Sequence, residues 1–257
     1  MNEFLYWYET HLHTAQASAC ASTSGFDYIA MYLKLGYTGI IVTDHFYHGN
    51  TVIPRNQPWR VWVDQFCRGY EIAKAEGDKQ GLQVFFGWEE NFDGDEYLIY
   101  GLDKQWLYDH PEMIDWSQKD QYEAIHKAGG LVVQAHPFRE RNYLNSIHLH
   151  PYQVDAMEVV NAGNSQEMDA LAYRYASNNK LPMTSGSDMH YLTRDSSSVC
   201  GIAFQEKLHS VKDYVTRIKS GEGYQFLMPK DRLEWNLKYQ PHLQVISYDK
   251  DNKRMDY

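Results

Sequence analysis

The chain has 257 residues, and its 24 Lys and Arg against 34 Asp and Glu give a formal net charge of −10. Hydrophobic residues make up 43% of it, which is enough for a sizeable core in one large domain or two small ones. Proteins that bind long nucleic acids usually carry a basic stripe, and no run of Lys or Arg stands out here. The composition therefore argues against a long nucleic acid as the main partner.

The sequence also bears on cellular location. Its cysteines, Cys20, Cys67 and Cys200, are widely spaced and form no Cys-x-x-Cys motif, as expected in a reducing compartment. The N-terminus lacks a basic region followed by an apolar stretch of signal-peptide length, and no apolar segment is long enough to span a membrane. We expect a soluble cytoplasmic protein with no membrane partner. Nothing in the sequence indicates an oligomeric state.

Short β-branched runs alternate with amphipathic stretches along the chain. Strands are predicted from residue 5 up to the first His-x-His pair and over 39–43, 82–86, 97–100, 131–135, 156–160, 182–185 and 199–204. Helices are predicted over 25–35, 59–75, 118–128, 166–177 and 211–219. This alternation predicts an α/β domain with a parallel sheet covered by helices, over residues 1–234. Residues 235–257 are predicted to be a tail packed on or appended to it, patterned only over 243–247.

A His-x-His pair stands near the start of the chain. Residues two apart in a strand point to the same face, so His11 and His13 would present two imidazoles side by side. Neutral imidazole is the commonest ligand for zinc and related cations. A second pair, His148 and His150, lies among Asn, Ser and Pro residues and is predicted to be surface loop. The first pair therefore needs support from elsewhere in the chain.

That support comes from the ends of the other predicted strands, where chemistry gathers in such folds. His, Asp or Glu residues end five of them: His11 and His13, Asp44 and His45, Glu89 and Glu90, His136, and Asp188 and His190. Charged residues are rarely buried without a partner, so the pattern predicts a shared metal site. We expect His11, His136 and Asp188 to lie within about 10 Å of each other. Asp44 and Glu90 alternate away from their neighbours and are expected to be structural.

The ordered motifs resemble the PHP family, named for polymerase and histidinol phosphatase. They are His11-Leu-His13, Thr43-Asp44-His45, Gly87-Trp-Glu89, Ala135-His136-Pro137, Glu158-Val-Val-Asn161 and Gly186-Ser-Asp188-Met-His190. The resemblance implies a distorted seven-stranded (β/α) TIM-like barrel with two or three divalent ions, Zn, Mn or Fe, at the carboxyl ends of the strands. It also implies that His11, His13, Glu89 and Asp188 form the catalytic set around one ion. Glu89 would bridge to a second ion bound by His136, and His45 and His190 would belong to a third.

This chain departs from the family pattern at two places. Family members usually carry an Asp or His shortly after the first motif, where this chain has residues 15–20 and only Cys20 is a strong ligand. Packing is an equally good interpretation of that cysteine. The family also usually has a His between the third and fourth motifs. Tyr97 or Asp103 stands near that place, and His110 and His126 are less well aligned.

The resemblance implies phosphoester hydrolysis, and the acidic chain favours a small phosphorylated metabolite as substrate. The first hypothesis is a phosphomonoesterase, acting on histidinol phosphate or a nucleotide by metal-activated hydroxide. Arg139 is the first choice for binding phosphate, followed by Arg141 and Arg194. His48 is a candidate general acid or an ordinary loop residue. Two alternatives remain open: a nuclease or phosphodiesterase acting on short oligonucleotides, and a non-catalytic metal-binding regulatory module.

Overall fold

The computed structural model describes residues 3–193, 199–229, 232 and 239–255. Its strands are β1 (Tyr6–Glu9), β2 (Gly39–Val42), β3 (Gln83–Phe92), β4 (Asp95–Tyr100), β5 (Leu131–Gln134), β6 (Ser146–Leu149), β7 (Ala156–Asn161), β8 (Met183–Gly186), β9 (Gly201–Phe204), β10 (Tyr224–Leu227), β11 (Gln244–Tyr248) and β12 (Arg254–Met255). Its α-helices are α1 (Gly25–Lys34), α2 (Trp59–Phe66), α3 (Arg68–Gln80), α4 (Lys104–Asp109), α5 (Gln118–Lys127), α6 (Gln166–Asn179) and α7 (Val211–Ser220), with a 3-10 turn at Pro111–Asp115.

One large sheet forms a nearly closed barrel. Nine strands lie in the order β10-β9-β1-β2-β3-β4-β5-β7-β8. The two ends of this order approach each other, and side chains bridge them: the Tyr224 hydroxyl donates to the Met183 carbonyl at 2.8 Å and the Ser185 hydroxyl to the Leu227 carbonyl at 3.2 Å. Apolar residues fill the interior, among them Tyr8, Ile41 and Leu98. The predicted α/β fold, a distorted TIM-like barrel, is confirmed.

The sheet is not entirely parallel, which corrects the expected strand arrangement. β1, β2 and β3 pair in parallel, as do β5, β7 and β8, but β4 runs antiparallel between β3 and β5. β9 is likewise antiparallel to β1 and to β10. β3 and β4 are joined by a tight hairpin in which Asp93 and Gly94 have φ of 54° and 99°. Two consecutive residues with positive φ are typical of a short hairpin turn. Such a turn can join only antiparallel strands.

The predicted helix over 59–75 is two helices, α2 and α3, separated at Cys67. The second helix begins where the chain must pass very close to the loop that follows β1. A Cβ added at Gly69 would lie 2.0 Å from the Thr14 hydroxyl and 2.9 Å from an Asp44 carboxylate oxygen. Gly69 therefore lets α3 press against the segment that carries His11 and His13.

A second, three-stranded sheet has the order β12-β11-β6. β11 pairs in parallel with β6, placing Val245 opposite Ile147. The prediction of surface loop around His148 and His150 is therefore wrong for His148, which lies within β6. Its partner strand comes from the tail, far along the chain, so local composition could not reveal the pairing. The domain boundary at 234 and 235 stays a prediction.

Of the helices in the described part of the chain, none is both long enough and apolar enough to cross a membrane.

Candidate metal centre

The predicted ligands converge at the carboxyl ends of the barrel strands. His11 and His13 follow β1, His45 follows β2 and Glu89 lies within β3. His136 follows β5, while Asp188 and His190 follow β8. Their ligand atoms, with those of Glu96, form four overlapping groups of three in which all atoms lie within 4.8 Å of one another. His11, His136 and Asp188 are one of these groups, so the expected convergence is met, while their role as ligands stays a prediction.

The first cluster is built around the two buried histidines after β1. The Nε2 atoms of His11 and His13 lie 3.1 Å apart. His11 Nε2 is 3.2 Å from Glu89 Oε1, and His13 Nε2 is 3.1 Å from Asp188 Oδ1. The other ring nitrogens are occupied, because His11 Nδ1 contacts Glu158 Oε1 at 3.0 Å and His13 Nδ1 contacts the Ser18 hydroxyl at 3.2 Å. These outer contacts fix the ring orientations and leave both Nε2 atoms facing the cluster.

The second cluster contains Glu96, which sequence reasoning missed. Glu96 is buried in β4, and its Oε2 lies 3.5 Å from His136 Nε2 while its Oε1 lies 3.8 Å from His45 Nδ1. Strand alternation puts Glu96 on the face of Leu98 and Tyr100, which line the barrel interior. Had the Asp93–Gly94 hairpin been recognised, that alternation would have pointed to Glu96.

The sequence analysis named two residues, Tyr97 and Asp103, near the position between the third and fourth motifs where the family usually has a His. Neither of them lies in the metal centre. Tyr97 is on the opposite face of β4 and packs in the outer core with Phe92 at a ring-centroid distance of 5.9 Å. Asp103 caps α4 by accepting a hydrogen bond from the Trp106 amide at 2.9 Å. His110 stacks on Trp106, and His126 contacts Asp155 at 2.8 Å, so both are also outside the centre.

The third cluster consists of imidazoles and borders Cys20. The His13 ring stacks between those of His45 and His190, with centroid distances of 4.3 and 4.4 Å. His190 Nδ1 lies 2.7 Å from the Asp188 carbonyl oxygen, which leaves Nε2 for another partner. Burial alone would raise the pKa of the Cys20 thiol, but hydrogen bonds from His190 and His45 lower it to about 6.

Buried carboxylates outside these clusters hold the loops. Asp44 accepts hydrogen bonds from the Thr14 amide at 2.6 Å and the Ser18 hydroxyl at 2.7 Å, and Glu90 accepts from the His48 amide at 2.9 Å. Both therefore have the structural contacts that were expected of them. Glu9, which was not predicted, accepts from the backbone amides of His11 and Ser187 at 2.9 Å. It thereby ties together the two loops that carry His11 and Asp188.

Two of the predicted ligands have unusual backbone conformations. His136 has φ of 27° and Asp188 has φ of 55°, in the left-handed region that is uncommon for residues other than glycine. Such residues cost about 1–3 kcal/mol each and cluster at functional sites. Glu158 supports one of them, because its Oε2 accepts a hydrogen bond from the His136 amide at 3.1 Å.

The donor set fits divalent cations. Both carboxylate oxygens of Glu89 and Nδ1 of His45 are buried and make no well-aligned hydrogen bond within the described residues, although Glu89 Oε2 and His45 Nδ1 lie 2.8 Å apart. Leaving buried polar atoms unsatisfied is costly, and a cation would satisfy all three. Burial would raise the pKa of Glu89, but His11 and His45 hold it well below its usual range. Imidazole nitrogens mixed with carboxylate oxygens suit Zn, Mn or Fe.

The candidate phosphate-binding residues lie at a cleft of about 520 Å³ beside the clusters, lined among others by His48, Arg139 and Arg141. Arg139 donates to Asp188 Oδ2 at 2.5 Å, to Asn161 Oδ1 at 2.5 Å and to Asn164 Oδ1 at 2.7 Å.

The other candidates have fewer contacts. Arg141 contacts Glu96 Oε2 at 2.7 Å. The His48 side chain is 35% exposed and lies 3.3 Å from Glu90. Arg194 lies outside the described residues.

Comparison with known proteins finds likeness in structure alone. No protein-family model matches the sequence, and no curated protein matches it either. A two-domain protein from Bacteroides vulgatus containing a predicted PHP-like metal-dependent phosphoesterase matches with a TM-score of 0.59 and 13% identity, covering 89% of this chain and 68% of that one. A proposed metal-dependent phosphoesterase from Bifidobacterium adolescentis gives 0.53 and 16%, covering 83% and 96%.

The lesion-specific endonuclease PfuEndoQ from Pyrococcus furiosus matches with a TM-score of 0.54 and 15% identity. The match covers 86% of this chain, which spans 57% of the endonuclease. At these identities the likeness is one of fold. The chain therefore has the barrel fold of PHP-like proteins, as the sequence motifs predicted.

Proposed function

We propose that this chain, which shares its fold with PHP-like metal-dependent phosphoesterases, is itself a metal-dependent phosphoesterase that acts on a small phosphomonoester. The position of Glu89 carries the proposal. Its Oε1 lies 3.2 Å from His11 Nε2 and 3.4 Å from His136 Nε2. Its Oε2 lies 2.8 Å from His45 Nδ1 and 3.5 Å from His13 Nε2. A buried carboxylate with different histidines at each oxygen is suited to bridge two neighbouring cations.

The proposed ligands divide among two or three ions. His11, His13 and Asp188 would hold one, His136 and Glu96 a second that shares Glu89, and His45 and His190 a third. Divalent cations at such sites activate water and neutralise charge on the phosphoryl oxygens. The residues of the chain supply orientation, because Glu158 fixes the His11 ring and Glu9 fixes the backbone at His11 and Ser187.

Two side chains in the cleft, Arg139 and His48, are suited to bind phosphate and to protonate the leaving group. Asn161, Asn164 and Asp188 hold the Arg139 guanidinium in one orientation, so it can offer a planar pair of donors to phosphate without further ordering. The hydrogen bond to Glu90 raises the pKa of His48 above its usual value, although partial burial opposes this. The raised pKa favours the protonated form of His48, which could then donate a proton to the leaving-group oxygen.

The cleft supports a small substrate. Its volume of about 520 Å³ is typical of sites for metabolite-sized ligands. The net charge of −10 disfavours a long polyanion. Histidinol phosphate and a mononucleotide both fit these limits.

A nuclease is the second candidate, because the endonuclease from Pyrococcus furiosus shares this fold. Phosphodiester cleavage on a short oligonucleotide would use the same clusters and would need Arg139 and Arg141 to track two phosphates. Activity on bis(p-nitrophenyl) phosphate or on short oligonucleotides, exceeding that on p-nitrophenyl phosphate, would favour this function.

The test is hydrolysis by purified protein supplied with Zn, Mn or Fe(II). We expect turnover of p-nitrophenyl phosphate and of at least one compound in a panel of phosphorylated metabolites. The variant His136→Ala should lose this activity while circular dichroism shows that the fold persists. Protein that binds metal but cleaves neither monoesters nor diesters would be a non-catalytic metal-binding module, and the proposal would be wrong.

A further inference from the structure

The loop between β7 and α6 carries the two asparagines that hold Arg139. Asn161 ends β7, and Asn164 stands just before Ser165, the N-cap of α6. Arg139 donates through Nε to Asn164 Oδ1 at 2.7 Å and through Nη2 to Asn161 Oδ1 at 2.5 Å. A Cβ added at Gly163, between the two asparagines, would lie 3.0 Å from Nη2. The loop therefore packs tightly against the guanidinium.

A buried carboxylate determines which end of each asparagine amide faces Arg139. An amide has an accepting oxygen and a donating nitrogen at opposite ends. Asn164 Nδ2 donates to Asp169 Oδ1 at 2.9 Å. Asn161 Nδ2 likewise donates to Glu158 Oε2 at 2.8 Å. Because both nitrogens are bound to carboxylates, both amide oxygens are turned toward the arginine, where they can accept its hydrogen bonds.

Asp169 is held on its other side by Arg232. Asp169 is fully buried in the first turn of α6, and Arg232 Nε donates to its Oδ2 at 2.7 Å. The same guanidinium donates to the backbone carbonyl of Asn161 and, at 2.5 Å, to that of Asn164. Arg232 thus compensates a buried charge and binds the backbone of the loop that holds Arg139. Neither Asp169 nor Arg232 lines the cleft or belongs to a ligand cluster.

The orientation of Arg139 matters because few of its donors remain for a substrate. A guanidinium has five N–H groups, and three of them make the contacts to Asn161, Asn164 and Asp188. Two remain, one on each terminal nitrogen. A pair of donors at a fixed spacing suits two oxygens of a phosphate, and it does so only while the plane of the guanidinium is held in place.

We propose that Asp169 and Arg232 are positioning residues that orient Arg139 for phosphate binding, acting through the loop that carries Asn161 and Asn164. The inference rests on the proposed function, since the phosphate concerned is that of the substrate. Neither residue touches the substrate. Their loss should therefore weaken binding of the phosphate group and leave metal content unchanged, because Glu158 still contacts His11.

The first test measures binding of inorganic phosphate to the zinc-loaded full chain by titration calorimetry. Asp169→Asn keeps the size of the side chain but replaces one accepting oxygen by a donor. We expect the Kd of phosphate to rise by about tenfold, the effect of one misplaced charge-assisted hydrogen bond. KM for p-nitrophenyl phosphate should rise similarly while kcat changes by less than about twofold. A purely structural loss would instead lower kcat and the zinc content and leave the phosphate Kd unchanged, and that result would overturn the proposal.

Asp155→Asn is the matched control. Asp155 is also a buried carboxylate, which accepts from the Val132 amide at 2.9 Å and lies 3.5 Å from Lys219, away from the loop that holds Arg139. Its phosphate Kd should equal that of the wild type. An equal loss in this variant would mean that any buried carboxylate has the same effect, and the specific role of Asp169 would be refuted.

A double variant tests whether Asp169 acts through Arg139. Arg139→Met should weaken phosphate binding, and adding Asp169→Asn should change it no further, because both substitutions act on the same guanidinium. A second tenfold loss would contradict the proposal. Arg232→Met should raise the phosphate Kd in the same direction as Asp169→Asn. It keeps the test available if Asp169→Asn does not fold, because the Arg232 side chain is 13% exposed and Asp169 is fully buried.

The outcomes separate this inference from the proposed function. If the wild type hydrolyses p-nitrophenyl phosphate while Asp169→Asn and Arg232→Met bind phosphate as tightly as it does, the inference fails and the proposed function stands. If phosphate binding depends on Asp169 but the wild type cleaves no ester, the proposed function fails and the positioning role stands. Zinc-loaded wild-type protein that binds no phosphate would overturn the inference.

Discussion

Two pairs of histidines share the spacing His-x-His but have opposite environments. His11 and His13 are fully buried, and their Nε2 atoms face each other and the carboxylates of Glu89 and Asp188. His148 and His150 also lie at the end of a short strand, β6, with Leu149 buried between them. The two pairs therefore share their spacing and a buried leucine between the histidines, and these features alone do not identify a metal site.

The difference lies in what faces the rings. His148 Nδ1 contacts Asp95 at 2.8 Å and its Nε2 contacts the Ser146 hydroxyl at 2.8 Å. His150 Nδ1 contacts Gln153 at 3.1 Å, and its ring stacks on Tyr248. Near the first pair, by contrast, Glu89 has two buried oxygens that face histidine nitrogens but make no well-aligned hydrogen bond within the described structure. A candidate metal centre is recognised by polar atoms that converge and stay unsatisfied.

The largest expected effect separates the two pairs directly. His11→Ala removes a ligand whose ring is fixed on its far side by Glu158, so activity and metal content should both fall. We expect kcat/KM on p-nitrophenyl phosphate to drop by more than about a hundredfold, which exceeds the loss typical of a residue that only orients a metal ligand. His148→Ala should change kcat/KM by less than about twofold. Comparable losses in the two variants would refute the distinction.

The sequence predicted which side chains converge more fully than it predicted the strand directions of the barrel around them. His11, His13, His45, His136 and Asp188 could be proposed because each follows a strand that was predicted from the sequence. Strands were predicted near β4 and β9, but their antiparallel direction was not, because pairing direction depends on hairpins and on chain closure, which local periodicity does not report. The strand predicted over 82–86 was also too short, because β3 continues to Phe92.

Glu96, a proposed ligand, and Glu158, which contacts the proposed ligand His11, show why a metal centre is difficult to predict completely from sequence. Glu96 lies in an acidic turn by composition, and only its pairing opposite Asn91 in the hairpin turns its side chain into the barrel. Glu158 is in a strand whose other residues are apolar, and its contact with His11 spans a long separation in sequence. The motif Glu158-Val-Val-Asn161 contains the second residue but not its contact with His11, so both roles depend on tertiary placement.

The next effect concerns the two carboxylates that contact a histidine of each pair, Glu158 at His11 and Asp95 at His148. Glu158→Gln keeps the size of the side chain but weakens its hold on His11 Nδ1 and on the His136 amide. We expect zinc affinity, measured by competition with a chromogenic chelator, to fall by about 10–100-fold. Asp95→Asn is the matched control, since Asp95 stands behind His148 in the same way. Its zinc affinity should equal that of the wild type, and a similar loss there would contradict the proposed role of Glu158.

A smaller effect is expected in the pH dependence of catalysis. Glu90 raises the pKa of His48 by a hydrogen bond, so Glu90→Gln should lower it and reduce the protonated fraction of His48 above neutral pH. The basic limb of the kcat profile should therefore move to lower pH. In His48→Gln that limb should disappear. A basic limb that is unchanged in both variants would remove His48 from the reaction.

The smallest expected effect concerns His148 and His150 and is measured as the free energy of unfolding instead of activity. Tyr248 in β11 stacks on His150 with ring centroids 4.5 Å apart and an interplanar angle of 3°. Tyr248→Leu keeps an apolar side chain on the strand but removes the stacking, so urea unfolding should show a loss of about 0.5–1.5 kcal/mol. Metal content and kcat/KM should stay at wild-type values, because the β6–β11 sheet supplies no ligand to the three clusters. A loss of metal in this variant would mean that the second sheet supports the centre, and the two histidine pairs would then be coupled.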